Sequence, residues 1–373
     1  PQNYRRGRRP RPGVGCYARL ERGEPIDLGG LYVMIDDMDA LEFFFDKEWS
    51  DGLPVVIPTE ERTEQMLKGS SRDPEEIIGA IPPAFGEATV RAAAMHAVMA
   101  GCRPEYLPVV LAGVEAVLDE RFGLNGLQGS MNSSAPLLIV NGPYAHEIGL
   151  YGGRGCFGPG FRANATIGRA IRLMLLNLGG GIPGVVSMST FGQPSKYTFC
   201  IAENEAESPW EPLSQSRGFA PGENVVTAVA CENPQLVVDN YARDPEQLFF
   251  SIADAMSHVG CWNQWVRSDL VLALSPQQAA ICADLPKEQV HRRLCELSGR
   301  RLGDLKRAGQ WREEWMKDLP FAVDLENDDY FVPLIKDPAD LHIIVAGGAP
   351  GPHSAVMHGW NGGSRAVSKA YTV

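Results

Sequence analysis

A glycine-rich stretch at residues 151–169 carries the first group of side chains whose types and spacing suggest chemistry. Its five glycines between positions 152 and 160 precede an apolar pattern of helical period. Free backbone N–H groups at a helix start, together with the helix dipole, favour anion binding. The stretch does not match a phosphate-binding loop, nor does it place a dinucleotide motif directly after a strand. We therefore predict that a small anionic substrate is bound by Arg162, Asn164, Thr166 and Arg169. A close-packed structural loop is the alternative interpretation.

Two glutamates form a second candidate group. On an extended strand Glu203 and Glu205 would share one face, where two carboxylates can share a proton, clamp a cation or bind a metal. Lys196 and Tyr197 lie a few residues upstream and are predicted substrate contacts. An edge strand with solvated glutamates would have the same sequence, so this alternative stays open.

A third group follows the apolar run at 341–348. A buried strand and a glycine-rich turn lead to His353 and Ser354, and open α/β sheets place ligand groups at such positions. We predict His353 as a general acid or base and Ser354 as a substrate contact. His353 and His358 are five positions apart, which does not favour a metal site made by that pair alone. If a divalent metal is bound, the predicted ligands are Glu203, Glu205 and His353.

Cys102 is the candidate nucleophile. It ends a predicted buried helix, and Arg103 and a second helix beginning at Pro104 follow it directly. A cation and a helix N-terminus both lower the pKa of a thiol, so we predict a catalytic thiolate. A cysteine that only packs in the core is the alternative. No two of the eight cysteines are closer than Cys282 and Cys295, so the paired spacing of zinc and dithiol sites is absent.

Charge and composition exclude several classes of protein. The 373 residues include 34 basic and 46 acidic side chains, a net charge of -12, which disfavours a general nucleic-acid binder. No apolar run reaches the length of a membrane span, and we expect a cytoplasmic protein. An arginine-rich arm at residues 4–22 contrasts with the acidic remainder, which predicts a homodimer in which the arm meets acidic surface.

The elements that must position these groups alternate between strand and helix. The apolar strands lack strict period two, which predicts an α/β fold in which a layered, mostly buried mixed sheet is flanked by helices, in one or two lobes. We assign residues 1–31 to the basic arm, 32–235 to a first lobe and 236–373 to a second. The principal predicted strands are residues 53–58, 136–143, 197–203, 224–232, 269–275 and 341–348. The principal predicted helices are residues 59–67, 86–102, 164–178 and 244–260.

Several long motifs resemble one family. They are DGLPVVIPT (51–59), AVMAGCRPEYLPVVLAGVEAVL (97–118), LIVNGP (138–143), FGPGFRANATIGRAIRLMLLNLGG (157–180) and GQPSKYTFCIAENEAESPWEPL (192–213). The chain is similar in these motifs to long proteins grouped with the UGSC (seleno)protein family. The resemblance implies thiol or selenol redox chemistry and supplies no substrate. The Cys-Gly-Ser-Cys form of the family motif does not occur here.

The leading hypothesis is a cytosolic enzyme, an oxidoreductase or lyase, that acts on a small anionic substrate by thiol-dependent redox or C–S or C–heteroatom chemistry. Its substrate would lie between the loops at 151–169 and 346–354, with Cys102, His353, Glu203 and Glu205 as catalytic residues. A metal-dependent lyase or hydrolase is the second hypothesis. A non-catalytic subunit of a redox complex is the third. No motif identifies a cofactor, but the candidate ligands named above would allow a divalent metal to bind.

Overall fold

The computed structural model describes residues 26–27, 32–33, 37–311 and 323–373. The strands in chain order are β1 Ile26–Asp27, β2 Tyr32–Val33, β3 Ile77–Ile81, β4 Gly86–Thr89, β5 Ala135–Asn141, β6 Cys200–Ala202, β7 Val225–Cys231, β8 Gln235–Val238, β9 Leu270–Leu274, β10 Gly299–Arg301, β11 Phe331–Pro333, β12 Leu341–Val345, β13 His353–Met357 and β14 Val367–Ala370. The helices are α1 Asp37–Asp46, α2 Glu60–Leu67, α3 Val90–Ala100, α4 Leu107–Leu118, α5 Leu124–Gly129, α6 Pro143–Glu147, α7 Arg162–Asn177, α8 Leu213–Ser216, α9 Pro245–Met256, α10 Asn263–Val266, α11 Pro276–Ile281, α12 Lys287–Leu297 and α13 Leu302–Arg307.

Short polar side chains begin several of the helices. Thr59 accepts a hydrogen bond from the N–H of Arg62 at the start of α2, and Asp244 accepts one from Gln247 at the start of α9. Each of these bonds satisfies a backbone donor that the first helical turn leaves free. The predicted helices 59–67, 164–178 and 244–260 are confirmed, with ends that differ by a few residues.

Two local predictions are wrong. Residues 53–58 are not a strand but an irregular segment, in which the N–H of Val56 donates to the carbonyl of Met99 at 3.1 Å. Pro54 and Pro58 have no N–H to donate to a sheet. The predicted helix 86–102 begins only at Val90, because residues 86–89 pair with β3 as a hairpin.

Two four-stranded sheets form the centre of the molecule. Sheet I has the order β14-β7-β5-β6 and sheet II the order β12-β9-β13-β8. In each sheet two parallel strands lie side by side, β5 with β6 and β9 with β12, and two antiparallel strands follow. The two halves of the chain therefore build sheets of the same strand order.

The fourth strand of each sheet comes from the other half of the chain. After β7 in sheet I, the chain crosses to sheet II and forms β8 against β13. After β13 in sheet II, it crosses back and forms β14 against β7. The two crossing segments meet at a bridge between Cys231 and Gly359. A Cβ on Gly359 would lie 1.9 Å from the carbonyl oxygen of Asp269, so only glycine fits there. We call residues 231–234 and 358–366 the strand exchange.

The sheets pack face to face, and helices cover both outer faces. In β5, Leu137 and Ile139 belong to the apolar cluster between the sheets, whereas Leu138 and Val140 face the core under α3, α4 and α7. This alternation is the two-residue period of a strand. The outer face of sheet II packs against α9, α11 and α12 in the same way. The order of layers is helix, sheet, sheet, helix.

The predicted α/β class, with mixed sheets flanked by helices, is confirmed. The predicted boundary near residue 235 falls in the strand exchange, and the division into lobes stays a prediction. The arm at 4–22 lies outside the described residues, so the homodimer also stays a prediction. Among the described helices, none has both the length and the apolar character needed to cross a bilayer.

Candidate functional site

The residues predicted to form one anion site have separate partners. The guanidinium of Arg162 donates two hydrogen bonds to the carbonyl of Gly101, at 2.9 and 3.0 Å. Asn164 is buried, and its side-chain amide fastens the preceding loop through the backbone of Tyr151 and Cys156. Because its donors and acceptor are all used inside the protein, Asn164 positions the loop rather than a ligand.

Arg169 forms an internal ion pair. Its guanidinium makes two parallel hydrogen bonds to the carboxylate of Asp51, at 2.8 and 2.9 Å, and both side chains are largely buried. This geometry is the strong bidentate form of an arginine–carboxylate pair. These internal partners do not by themselves form an anion site, and a ligand site made by Arg162, Asn164, Thr166 and Arg169 stays a prediction. Thr166 also has an internal partner, because its hydroxyl donates to the carbonyl of Arg162 at 2.8 Å.

Cys102 lies in the core two residues after the end of α3, with 7% of its surface exposed. Burial raises the pKa of its thiol to about 12, although the Thr166 hydroxyl and the charge of Arg162 act in the opposite direction. Arg103, which was expected to lower this pKa, is exposed and is not among the groups that affect it. The prediction of a low-pKa thiolate is wrong because desolvation outweighs the nearby cation.

The structure brings Glu203 and Glu205 together through one amide. The side chain of Asn141 donates to Glu203 Oε2 at 2.7 Å and to Glu205 Oε1 at 2.9 Å. Glu203 is 2% exposed and also accepts from the N–H of Leu213 at 2.8 Å. Burial raises the pKa of Glu203, whereas the charge of Lys287 lowers it. The pair occupies a hydrogen-bonded turn after β6 instead of one face of a strand.

His353 does not lie close to these glutamates, as a shared metal site would require. It is exposed at the start of β13, and the next residue, Ser354, is buried with its hydroxyl donating to Gln278. Within the part of the chain that the structure describes, His353 does not converge with Glu203 and Glu205 on a common point. The predicted metal set is therefore wrong. His358 follows the far end of the same five-residue strand, about 16 Å along it, which separates the two histidines.

Lys196 and Tyr197 point to different environments. Lys196 lines a small cavity and donates to the carbonyl of Ser134 at 3.1 Å, whereas Tyr197 is 46% exposed. The loops at 151–169 and 346–354 do meet, since the N–H of Gly347 donates to the carbonyl of Gly152 at 2.8 Å. The side chain of Arg154 adds a second contact between the loops, because its guanidinium donates to the carbonyl of Ala349.

Three side chains that bind metals in other proteins converge at the strand exchange. They are His258, Cys261 and His358, and one ligand atom from each lies within 4.8 Å of the other two. His258 and Cys261 are held in one turn after α9, in which the N–H of Cys261 donates to the carbonyl of His258 at 3.0 Å. His358 reaches the same point from the end of β13. Among the described residues this is the group that could hold a metal ion.

His358 has an unsatisfied imidazole. The residue is 2% exposed, and neither ring nitrogen has a hydrogen-bond partner within the described structure. Burial and the neighbouring His258 lower the pKa of His358 to about 4, so the ring is neutral at physiological pH. A buried polar group without a partner costs free energy, and a coordinated ion would remove that cost.

The other two ligands are oriented by the backbone. His258 Nδ1 lies 3.0 Å from the carbonyl of Ala255, so an Nδ1–H donates there and Nε2 is left to coordinate. Cys261 is 2% exposed, and burial raises the pKa of its thiol to about 11. The charge of Arg300 lowers this pKa, and that of Glu232 raises it. Metal coordination deprotonates such a thiol outright.

Two further polar residues have backbone contacts with the triad of His258, Cys261 and His358. The N–H of Gln264 donates to the carbonyl of Cys261 at 3.2 Å, and both polar side-chain atoms of Gln264 are buried without a partner among the described residues. Glu232 lies in the strand exchange, where its N–H donates to the carbonyl of His358 at 2.8 Å and its carboxylate accepts from Asn132 at 2.7 Å. The charge of Glu232 is close enough to act on the Cys261 thiol.

Sequence reasoning missed this triad. A search for Cys-x-x-Cys and for paired histidines does not detect His258-x-x-Cys261, a pair with the spacing of metal ligands. The third ligand is 97 positions further along the chain, and only the crossing of the two strands brings it near.

No protein-family model matches this chain, and no curated protein matches it significantly. The resemblance to the UGSC family therefore stays a prediction. The triad of His258, Cys261 and His358 offers three protein ligands, one thiolate and two imidazoles, and Zn²⁺ accepts ligands of both kinds.

Proposed function

We propose that this protein is a metal-dependent enzyme, a lyase or a hydrolase, whose divalent ion is held by His258, Cys261 and His358. The observation that carries the proposal is the buried, neutral and unpartnered imidazole of His358 beside two other ligand-type side chains. The metal-dependent hypothesis drawn from the sequence is thereby kept, with a different set of ligands.

Zinc is the ion that fits best. Tetrahedral Zn²⁺ holds nitrogen and sulfur ligands about 3.4 to 3.6 Å from one another, given bonds of about 2.0 to 2.3 Å. The three ligand atoms already lie within 4.8 Å, so small side-chain rotations are sufficient. Three protein ligands leave a fourth position for water or substrate, which is the arrangement of catalytic rather than structural zinc sites.

The neighbouring side chains support chemistry at that position. Bound zinc lowers the pKa of its water to about 7 and polarises carbonyl oxygens. Glu232, whose charge acts on the Cys261 thiol and whose carboxylate accepts from Asn132, would be the base for such a water. The unpartnered amide of Gln264, three residues after Cys261, would supply hydrogen bonds to a substrate. A small anionic substrate, as the sequence predicts, stays part of the proposal.

The thiol-dependent alternative has less support. It requires a reactive cysteine, and burial raises the pKa of every cysteine thiol that the structure describes. Of these cysteines, Cys261 has two histidines within ligating range, and a metal would convert its thiol to a thiolate.

The test begins with metal content and cobalt substitution of the full chain. The purified protein should contain one zinc ion per chain, and after removal by a chelator it should bind one Co²⁺ with the charge-transfer band of a cobalt–thiolate bond. Cys261→Ser should lose this band, and His358→Ala should weaken Co²⁺ binding by more than about 100-fold, the upper range for outer-shell changes. Cys282→Ala, at a fully buried cysteine outside the triad, is the matched control and should keep both properties.

The open fourth position is tested in the same cobalt protein. Addition of azide, and titration through pH 7, should both change the cobalt spectrum, because a bound water is displaced or ionised. A cobalt spectrum insensitive to both would indicate a closed structural site and would overturn the enzymatic proposal. Absence of stoichiometric metal, with no Co²⁺ binding, would overturn the proposal entirely and leave the thiol-dependent enzyme and the non-catalytic redox subunit as the remaining hypotheses.

A further inference from the structure

A small cavity lies between α5, β5, α7 and the residues before β6. Its volume is about 30 Å³, and Arg172, Lys196, Ser134, Ser187 and Ser195 are among its polar lining residues. Neither member of the Arg169–Asp51 ion pair lines it, and none of the triad residues does. The apolar side chains of α5 and α7 close the rest of its wall.

The two cations of this cavity have no carboxylate partner. Within the described residues, no acidic oxygen lies within 4.0 Å of Arg172 or Lys196. Arg172 donates to the carbonyl of Gly181 at 3.3 Å, and Lys196 donates to that of Ser134 at 3.1 Å. Asp51 is near enough to act on Arg172, but both of its oxygens are engaged by Arg169.

The environment penalises these charges. Burial lowers the pKa of Arg172, and burial together with the charge of Arg172 lowers the pKa of Lys196 to about 8. Two like charges that share a poorly solvated space destabilise the folded protein unless an anion compensates them. The hydroxyl of Ser195 is buried beside them and has no partner in the described structure. The cavity therefore presents unsatisfied donors and net positive charge.

We propose that this cavity binds the carboxylate group of a small organic anion, held by Arg172, Lys196 and the hydroxyl of Ser195. The proposal rests on the cavity alone and is independent of the metal. A guanidinium and an ammonium make charge-assisted hydrogen bonds to carboxylates that are about twice as strong as neutral ones. The serine hydroxyl adds a third donor to the same group.

The size of the cavity selects carboxylate over phosphate. One water needs about 10 to 15 Å³ on this scale, so a cavity of about 30 Å³ holds two or three atoms of that size. The carbon and two oxygens of a carboxylate fill it. The four oxygens of phosphate or sulfate exceed it.

Formate, which consists of one carboxylate group, is the probe for the experiment. The melting temperature of the full chain, measured at pH 7 and constant ionic strength, should rise with formate concentration and saturate, whereas inorganic phosphate and chloride should produce no saturable rise. Isothermal titration gives the Kd for formate directly. Lys196→Met should weaken that Kd by about 10- to 100-fold, the equivalent of one hydrogen bond to a charged group. Lys68→Met, at an exposed lysine, should leave it unchanged.

A second measurement separates binding from a structural role. Without formate, Lys196→Met should raise the melting temperature, because it removes an unpaired buried cation, and a lysine needed only for structure would give a fall. Ser195→Ala is a smaller change that should weaken formate binding in a protein that folds normally. Repeating the titration after chelation distinguishes this site from the metal centre, since loss of metal should not alter formate binding. Absence of formate binding, equal binding of phosphate, or formate binding unchanged in Lys196→Met would overturn the proposal.

Discussion

Binding of Zn²⁺ to the triad should release one proton from Cys261, and the affinity should depend on pH accordingly. Burial raises the pKa of this thiol to about 11, so at pH 7 only about one molecule in 10⁴ carries the thiolate. Forming the thiolate at pH 7 therefore costs about 5 kcal/mol of the binding free energy. His358, with a pKa of about 4, is already neutral and contributes no proton near pH 7.

The expected result is a decrease of more than tenfold in the apparent Kd for each unit of pH between 7 and 9, because the thiol releases one proton and the zinc-bound water releases part of a second. Competition with a chromophoric chelator at constant ionic strength measures this Kd. Calorimetric titration at pH 7, in buffers of different ionisation enthalpy, counts the protons released, and between one and two per zinc ion are expected. Cys261→Ala should release about one proton fewer than the wild type, whereas Cys282→Ala should behave like the wild type.

Two results would refute the reasoning. A Kd that does not change between pH 7 and 9 would mean that no thiol is deprotonated, so Cys261 would not be a ligand. Proton release by Cys261→Ala equal to that of the wild type would assign the thiol's proton to another group. Either result would leave the histidines as the only ligands and would remove the argument for a zinc site.

Three further outcomes are expected. Cys102 should react with iodoacetamide no faster than Cys282 in the native protein, since burial raises the pKa of both thiols to about 12. Mass spectrometry should find both cysteines labelled rapidly only after unfolding, and fast native labelling of Cys102 alone would restore the nucleophile hypothesis. Asp51→Asn should lower the free energy of unfolding by about 3 to 5 kcal/mol in a urea titration, because it leaves Arg169 buried without its partner; a loss under 1 kcal/mol would show that the pair is solvated. Gly359→Ala should lower both the melting temperature and the zinc affinity, because its Cβ would displace the chain next to the third ligand, and unaltered zinc binding would show that this segment does not position the ligand.

The sequence carried enough information for most helices. Asp244 followed by Pro245 marks the start of α9, because a capping side chain and a proline at the first position are both local signals. The apolar run at 53–58 looked like a strand for an equally local reason. It does not form one because its prolines have no N–H to donate to a neighbouring strand, and because the N–H of Val56 donates to the carbonyl of Met99 instead.

The candidate site depended on information that is not local. The neighbours of Cys102 in sequence suggested a low pKa, but the thiol responds to the core around it, to Thr166 and to Arg162. His358 becomes a potential ligand only because β13 ends beside the turn after α9. Pairing between distant strands has no signature in single-residue spacing, so this contact was not predictable from the chain alone.

The strand exchange makes each half of the polypeptide depend on the other for one strand of its sheet. Each half lacks the last strand of its own sheet, so neither can complete its hydrogen bonding until the other is present. A fragment that ends before β14 would expose the backbone edge of β7, and exposed edges recruit strands from other molecules. Two copies of the chain could also satisfy the same pairing by trading β14 between them, which is the route by which domain-swapped dimers arise. The segment after His358 would then be the hinge of the swap. All three triad residues precede this hinge, so each chain of a swapped dimer would keep its own complete triad.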